Sequence, residues 1–177
     1  MPKNRRLEFP DLDKLGWDID AFLKVLPDIC GVTAINFFQD RFAQKGWIDG
    51  AGLEAWEKRK QPGNGSLLLK TSNLKDSFEY ESSRKWVEVT NFAPYSSIHN
   101  EGGVLEIRIT KKSRKFFWYM YHKTGDGKWK GMALTKKTSL KIFIPKRQFM
   151  GHSNLLMKRI DMSFRKRIDQ LMKRHMK

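Results

Sequence analysis

Apolar residues recur at helical spacing near both ends of the chain, and the stretch between them reads mainly as strand. Towards the start Val32, Ile35, Phe38 and Phe42 follow one another at three- and four-residue steps between Asp28 and Gln44. Towards the end Leu156, Ile160, Phe164, Ile168 and Leu171 form a second stripe of the same period. Such spacing marks amphipathic helices. Between them the chain turns to β-branched and aromatic runs: Lys85 to Asn91, Val104 to Ile109, Phe116 to His122, Trp129 to Leu134 and Leu140 to Ile144. Helix, then strands, then helix, without βαβ alternation, predicts an α+β fold: an antiparallel sheet packed against an N-terminal and a long C-terminal amphipathic helix.

Local signals refine this. Residues 1–18 read as an irregular arm interrupted by Pro2, Pro10 and Gly16, in which Leu7, Phe9, Leu12, Leu15 and Trp17 dock on the body or on a neighbouring subunit. Asp20 caps a short helix to Leu26, and Pro27 suits the first turn of the next helix because its missing N–H costs nothing there. Gly31 interrupts that helix and calls for close packing by another element. Gly46 ends it. Trp47 to Gly65 reads as a loop with a helical piece from Leu53 to Lys60 and a turn at Gln61-Pro-Gly-Asn-Gly65. Thr71, Ser72 and Asn73 are turn or cap residues leading into a hairpin whose second strand is Lys85 to Asn91, with Ser82-Ser83 as the turn. Lys123 to Lys128 forms a turn with two glycines, and Pro145 ends the last strand. Ser153 caps the final helix; Arg167 and Arg174 fall at the edge of its apolar stripe, placed to snorkel outward or to pair with a carboxylate.

Charge is the strongest bulk property. Thirty-five Lys and Arg against nineteen Asp and Glu leave a formal charge of +16. A surface of that sign attracts nucleic acid, an acidic protein ring or an anionic membrane. No stretch approaches ~20 uninterrupted apolar residues, and the charged N-terminus lacks the apolar run of a secretory signal. Cys30 is the single cysteine, which excludes an internal disulfide and fits a reducing cytoplasm.

No catalytic constellation emerges. His99, His122, His152 and His175 lack the spacing of a metal site, and one cysteine cannot build a zinc cluster. Gly102-Gly103 belongs to no phosphate loop and reads as a backbone bend, with His99 beside it as a packing and hydrogen-bonding residue. Lys123 to Lys128 lacks the alternating acidic ligands of a calcium loop. The expectation is a protein that is not an enzyme and takes no cofactor and no metal. The run Lys111-Lys-Ser-Arg-Lys-Phe-Phe-Trp-Tyr-Met-Tyr-His-Lys123 invites comparison with a nucleic-acid platform, in which aromatics stack bases and flanking cations hold phosphates. It matches no RNA-binding signature, so core plus subunit interface is the favoured reading.

The order of motifs from Leu67 to Gly151 adds a resemblance. Leu67-Leu-Leu-Lys-Thr-Ser-Asn-Leu-Lys-Asp-Ser-Phe78 is followed by the hairpin, then by Asn91-Phe-Ala-Pro-Tyr-Ser-Ser-Ile-His-Asn-Glu-Gly-Gly103, and later by Ile144-Pro-Lys-Arg-Gln-Phe-Met-Gly151 before the last helix. Over roughly residues 30 to 175 this resembles the virion morphogenesis, or tail-completion, proteins of long-tailed bacteriophages. The matching positions are Thr71, Leu74, Tyr95, Ile98, His99, Gly102, Gly103, Pro145, Arg147, Phe149 and Gly151. Trp56 corresponds by position to a loop tryptophan that packs near the core. Two positions depart from the pattern: Ser72 stands where the family has glycine, implying a less tight turn, and Gln148 where it has proline, implying a looser bend.

The resemblance implies a single domain over residues 19–177, with a β-rich insertion at about 104–140. It also implies a structural, non-catalytic role in finishing the tail or joining it to the head. Expected partners are further copies in a ring, often sixfold, and neighbouring neck, connector or tail proteins. Sequence-independent contact with DNA is also expected, and no membrane. The expected location is the head–tail junction or tail end of a virion assembled in the bacterial cytoplasm. Phe149 is expected to anchor its bend in the core and Arg147 to reach a carboxylate or a turn carbonyl. Lys111, Lys112, Arg114, Lys115, Lys158, Arg159, Arg165, Lys166 and Lys173 are the basic residues expected to face a partner or DNA. The alternative from another class is a free-standing nucleic-acid-binding module of a mobile element, which uses the same charge without a ring.

Overall fold

A computed structural model describes residues 11–50, 52–59 and 65–175. The reading of residues 1–10 as an arm and most of the turn at Gln61 to Gly65 lie outside the described residues. The class is α+β, with a long helix at each end and short antiparallel strands. The strands form three separate two-stranded ribbons rather than one continuous sheet. The chain divides into two compact units, one comprising residues up to Ser96 together with Arg147 onward, the other Ser97–Lys146.

The first unit is built on α1 (Leu12–Gln44), which Asp11 caps by accepting the Lys14 N–H at 3.0 Å. Two expectations are corrected here. Residues 12–18 are helical rather than irregular, and no break separates a short helix from a longer one, because Pro27 lies inside α1. An internal proline costs roughly 3 kcal/mol and a hydrogen bond. Packing on both sides of it offsets that cost. Leu15 and Phe22 join Leu171 in one apolar cluster, and Ala34, Phe37, Phe38 and Phe42 join a second. Gly31 supports the close approach read from the sequence: a Cβ there would lie 2.4 Å from the Tyr80 ring. One 18-residue window of α1, with a mean hydropathy of 1.4, is long and apolar enough to cross a membrane, although Lys24 and Asp28 interrupt its apolar run. The clusters take up only part of its apolar surface: Leu12 and Trp17 are largely exposed, and Leu23, Val25, Ile29 and Val32 are half-exposed.

After α1 the chain forms β1 (Gly46–Ile48) and β2 (Leu53–Ala55), paired antiparallel with Trp47 opposite Glu54. Where a helical piece was expected from Leu53 to Lys60, Leu53–Ala55 is a strand paired with β1, residues 56–59 are irregular and Lys60 lies outside the described residues; Trp56, just after the strand, reaches the core. A single turn, α2 (Asn73–Asp76), precedes the hairpin β3 (Phe78–Ser83) and β4 (Trp86–Asn91). The hairpin stands where it was read, but Ser83 pairs with Trp86, so Arg84 and Lys85 make the turn. α6 (Asn154–His175) closes this unit. Ser153, itself buried, caps it by accepting the Leu156 N–H at 3.3 Å and donates to the Ile48 carbonyl at 2.9 Å. Leu156 packs in the larger cluster and Leu171, Phe164 and Ile168 in the smaller, so the predicted stripe is the face that meets α1.

The second unit opens on α3 (Ser96–Glu101), all but the first residue of which lies within it. β5 (Gly103–Arg108) and β6 (Ser139–Ile144) pair from Gly103 opposite Ile144 to Arg108 opposite Ser139. Between them, where strands were expected at Phe116–His122 and Trp129–Leu134, stand two helices, α4 (Lys111–Thr124) and α5 (Gly127–Leu134). Aromatic residues favour strands, but end signals outweigh that preference here. Thr110 and Ser113 make a reciprocal capping box. Gly125, at φ 68°, closes α4 with its N–H on the Tyr121 carbonyl. Asp126 then caps α5. The aromatic run also has a helical period: Arg114, Phe117, Trp118 and Tyr121 share one side, and Phe117 stacks on Trp129 at 6.1 Å.

Candidate assembly surface

Several motif residues build the root of the β5–β6 ribbon. Gly102 and Gly103 carry φ of 74° and 147°, conformations that side-chain-bearing residues resist. Gly102 also needs the room: a Cβ would lie 2.7 Å from the Lys146 nitrogen. Ile98 packs against the other glycine, its Cδ1 lying 3.1 Å from where a Gly103 Cβ would stand. Pro145 follows the ribbon's last residue. His99 is half-buried on α3 between Ile98 and Asn100. The bend read from the sequence is thus the place where one strand starts and its partner ends.

The other motif residues belong to the first unit. Leu74 and Phe149 are buried in the larger cluster, and Phe149 lies 5.1 Å from the Phe42 ring and 6.0 Å from that of Phe78. Thr71 is exposed. Tyr95 accepts a hydrogen bond from Asn73 at 3.0 Å. Ser72 stands at φ 55°, a left-handed conformation in which glycine is at ease and serine strained. Arg147 is buried and donates through Nε and Nη2 to the Glu57 carbonyl at 3.2 and 3.1 Å; burial pushes its pKa down. Gln148 is held by a bond the sequence did not reveal, Trp56 Nε1 donating to its carbonyl at 2.7 Å. Gly151 (φ 143°) completes the turn into α6.

The basic residues fall into different settings. On α6, Arg159 pairs with Asp40 at 3.7 Å and Arg165 with Asp161 at 2.7 Å, while Lys158, Lys166 and Lys173 are exposed. Arg174 meets Asp18 at 3.4 Å, and the largely buried His175 ring contacts the same carboxylate at 2.8 Å. That hydrogen bond lowers the Asp18 pKa, with Arg174 adding to the effect. Arg167 lies near Gln170. Sequence reading missed Arg41, which is fully buried: its Nε donates to the Phe37 carbonyl at 3.0 Å and its guanidinium lies 4.3 Å from the Phe37 ring centre. Burial depresses its pKa. Its position on the same helical turn as Phe37 and Phe38 was the available signal.

The second unit is the more strongly charged. Its fifty residues contain twelve Lys and Arg against three Asp and Glu, nine of the chain's sixteen net positive charges. Lys111, Lys112 and Lys115 are exposed on α4, whereas Arg114 turns inward and donates to the Ala133 and Thr135 carbonyls at 2.8 and 2.7 Å, tying α4 to the end of α5.

The ribbon is apolar on one face. Alternation puts Leu105, Ile107, Leu140, Ile142 and Ile144 on the same side. Leu105, Ile107 and Ile142 are each more than 40% exposed. The opposite face carries Val104 and Phe143 near the root, then Glu106 hydrogen-bonded to Ser139. Ala133 is the one buried apolar residue of this unit.

Among the described residues no group of three or more His, Cys, Asp or Glu is placed to hold a metal ion. No curated protein and no solved structure matches the chain. A family model described as phage virion morphogenesis matches residues 28–169, which takes in the second half of α1, most of α6 and the whole second unit.

Proposed function

The chain belongs to the phage virion morphogenesis family, and from that premise we propose that it is a non-catalytic neck component that forms a ring in tail completion or head–tail joining. The family places it among proteins of virion assembly. The finer reading is carried by the apolar face of the β5–β6 ribbon. An isolated two-stranded ribbon is marginally stable in water, and exposed, contiguous apolar surface marks an interaction site. Leu105, Ile107 and Ile142 are the residues a neighbouring copy would cover. A ring follows when the same pair of surfaces meets head to tail and the rotation closes. The exposed lysines of α4 and α6 then face adjoining virion components or DNA.

Light scattering of the purified protein at low and high salt tests this. The expected result is one discrete species several times the 20.9 kDa chain mass, reduced to monomer by the double substitution Ile107→Gln and Ile142→Gln with helical content unchanged. A chain that stays monomeric up to high concentration, and that the double substitution leaves unaltered, overturns the proposal. The concentration of charge in Ser97–Lys146 favours a second reading, a basic nucleic-acid-binding module of a mobile element. It predicts a monomer or dimer whose DNA affinity falls steeply with salt.

A further inference from the structure

One side of α4 is built almost entirely of cations and rings. On a helix of 3.6 residues per turn, Lys111, Lys112, Lys115, Phe116, Tyr119 and Lys123 share an arc. All six are exposed, Phe116 at 51% and Tyr119 at 58%. Lys123 Nζ lies 5.9 Å from the centre of the Tyr119 ring. α4 contains no Asp or Glu, so no carboxylate of its own relieves these charges. Lys111 and Lys112 stand in its first turn, where the helix dipole is already positive and a cation is unfavourable. That arrangement costs the isolated protein stability, and an anion lying along the helix removes the cost.

The choice between an acidic protein surface and a nucleic acid turns on residue type. Protein interfaces are enriched in arginine and depleted in lysine, and arginine is the residue that grips carboxylates bidentately. The only arginine of α4 is Arg114, and it is committed to α5. What remains outside is lysine, a flexible point charge suited to phosphates approached in no fixed register. The two rings among the lysines offer faces for sugars or bases without sequence preference.

We propose that this face of α4 holds the sugar–phosphate backbone of DNA, independently of sequence. The proposal rests on the ring reading above and deepens it by assigning one of the basic surfaces to the nucleic acid rather than to a neighbouring protein.

The test is equilibrium binding of the full chain to a fluorescent mixed-sequence duplex of about 25 base pairs, between about 50 and 200 mM salt. Wild type is compared with the fourfold variant Lys111→Gln, Lys112→Gln, Lys115→Gln, Lys123→Gln, and with Lys158→Gln, Lys166→Gln, Lys173→Gln on α6. Circular dichroism checks that each is folded. Each lost phosphate contact lowers the slope of log affinity against log salt by about 0.9, so the α4 variant should lose roughly 3 to 4 from the slope, and its deficit against wild type should be about 100-fold larger at the low-salt end than at the high-salt end. The α6 variant should lose far less. An α4 variant that binds like wild type, or equal losses from the two sets, overturns the proposal. So does wild-type protein that binds poly-glutamate or phosphatidylserine vesicles more tightly than DNA. Light scattering on the same samples separates the two ideas. A wild type that never assembles yet loses its salt slope with the α4 lysines sinks the ring and supports the DNA contact. An assembly whose DNA affinity ignores those lysines does the reverse.

Discussion

The two units of this chain solve the problem of burial differently. The first unit encloses a core in which Phe37, Phe42 and Phe149 are at most 1% exposed, with rings from α1, β3 and the segment before α6 meeting at 5–6 Å. The second unit buries Ala133 and leaves Val104, Leu105, Ile107, Phe116, Tyr119, Leu134, Ile142 and Phe143 between 41% and 63% exposed. The first draws its stability from itself. The second, rich in charge and in uncovered apolar surface, has the composition of a region completed by what it touches.

The largest effect that would sharpen this contrast is Phe149→Ala. Removing a fully buried ring from the first unit should cost about 3–5 kcal/mol, read as a fall in the midpoint of thermal or urea unfolding. Full retention of stability would show that this core is less cooperative than its packing implies. Gly102→Ala probes the other unit. The left-handed backbone and the Lys146 nitrogen 2.7 Å from the new Cβ should together cost about 2 kcal/mol. Hydrogen exchange should quicken across Val104 to Ile144 while α1 stays protected; loss of protection in α1 would break the contrast by coupling the two units.

Smaller effects follow in the first unit. Ser72→Gly relieves a left-handed serine and should raise stability by about 0.5–1 kcal/mol, net of the greater freedom glycine brings to the unfolded chain. Last comes Asp18, whose pKa in the folded protein is held below 3.8 by the His175 hydrogen bond and by Arg174. A depressed carboxyl pKa stabilises above its unfolded value and loses that contribution as pH falls through its folded one. Urea midpoints of wild type and Asp18→Asn should therefore differ at neutral pH and converge as the pH falls through the lowered folded-state pKa of Asp18; a difference that persists once the carboxyl is protonated would show that the contact acts through packing instead.

The sequence was legible where period and burial agree. The C-terminal stripe, the Ser153 cap and the β3–β4 hairpin could be read because each is tied to the core, and both ribbon strands because apolar residues alternate along them although neither face is buried. It misled where local preference opposed packing. Pro27 argued for a break in α1, yet clusters on either side hold the helix through it. Phe116 to His122 looked like strand because aromatics favour strands, while the determining signals were small polar residues at its ends: Thr110, Ser113, Gly125 and Asp126. Testing that run against a period of 3.6 as well as 2 would have separated Phe117, Trp118 and Tyr121 from the lysine side. Of the motif residues, the glycine pair could be understood in advance because its chemistry is local. The Trp56–Gln148 bond could not, since it joins positions ninety-two residues apart.

That long reach has a consequence for synthesis. Phe42 leaves the ribosome more than a hundred residues before the Phe149 ring that packs against it. At typical translation speeds the interval is about 5–20 s. Throughout it, Trp47, Trp56 and Phe78 can already lie on the phenylalanines of α1, but the place of the Phe149 ring against Phe42 and Phe78 stays open to chaperones or to another nascent chain. Only a chain translated almost to its end can close this core, so truncated products are left without the fold that assembly requires.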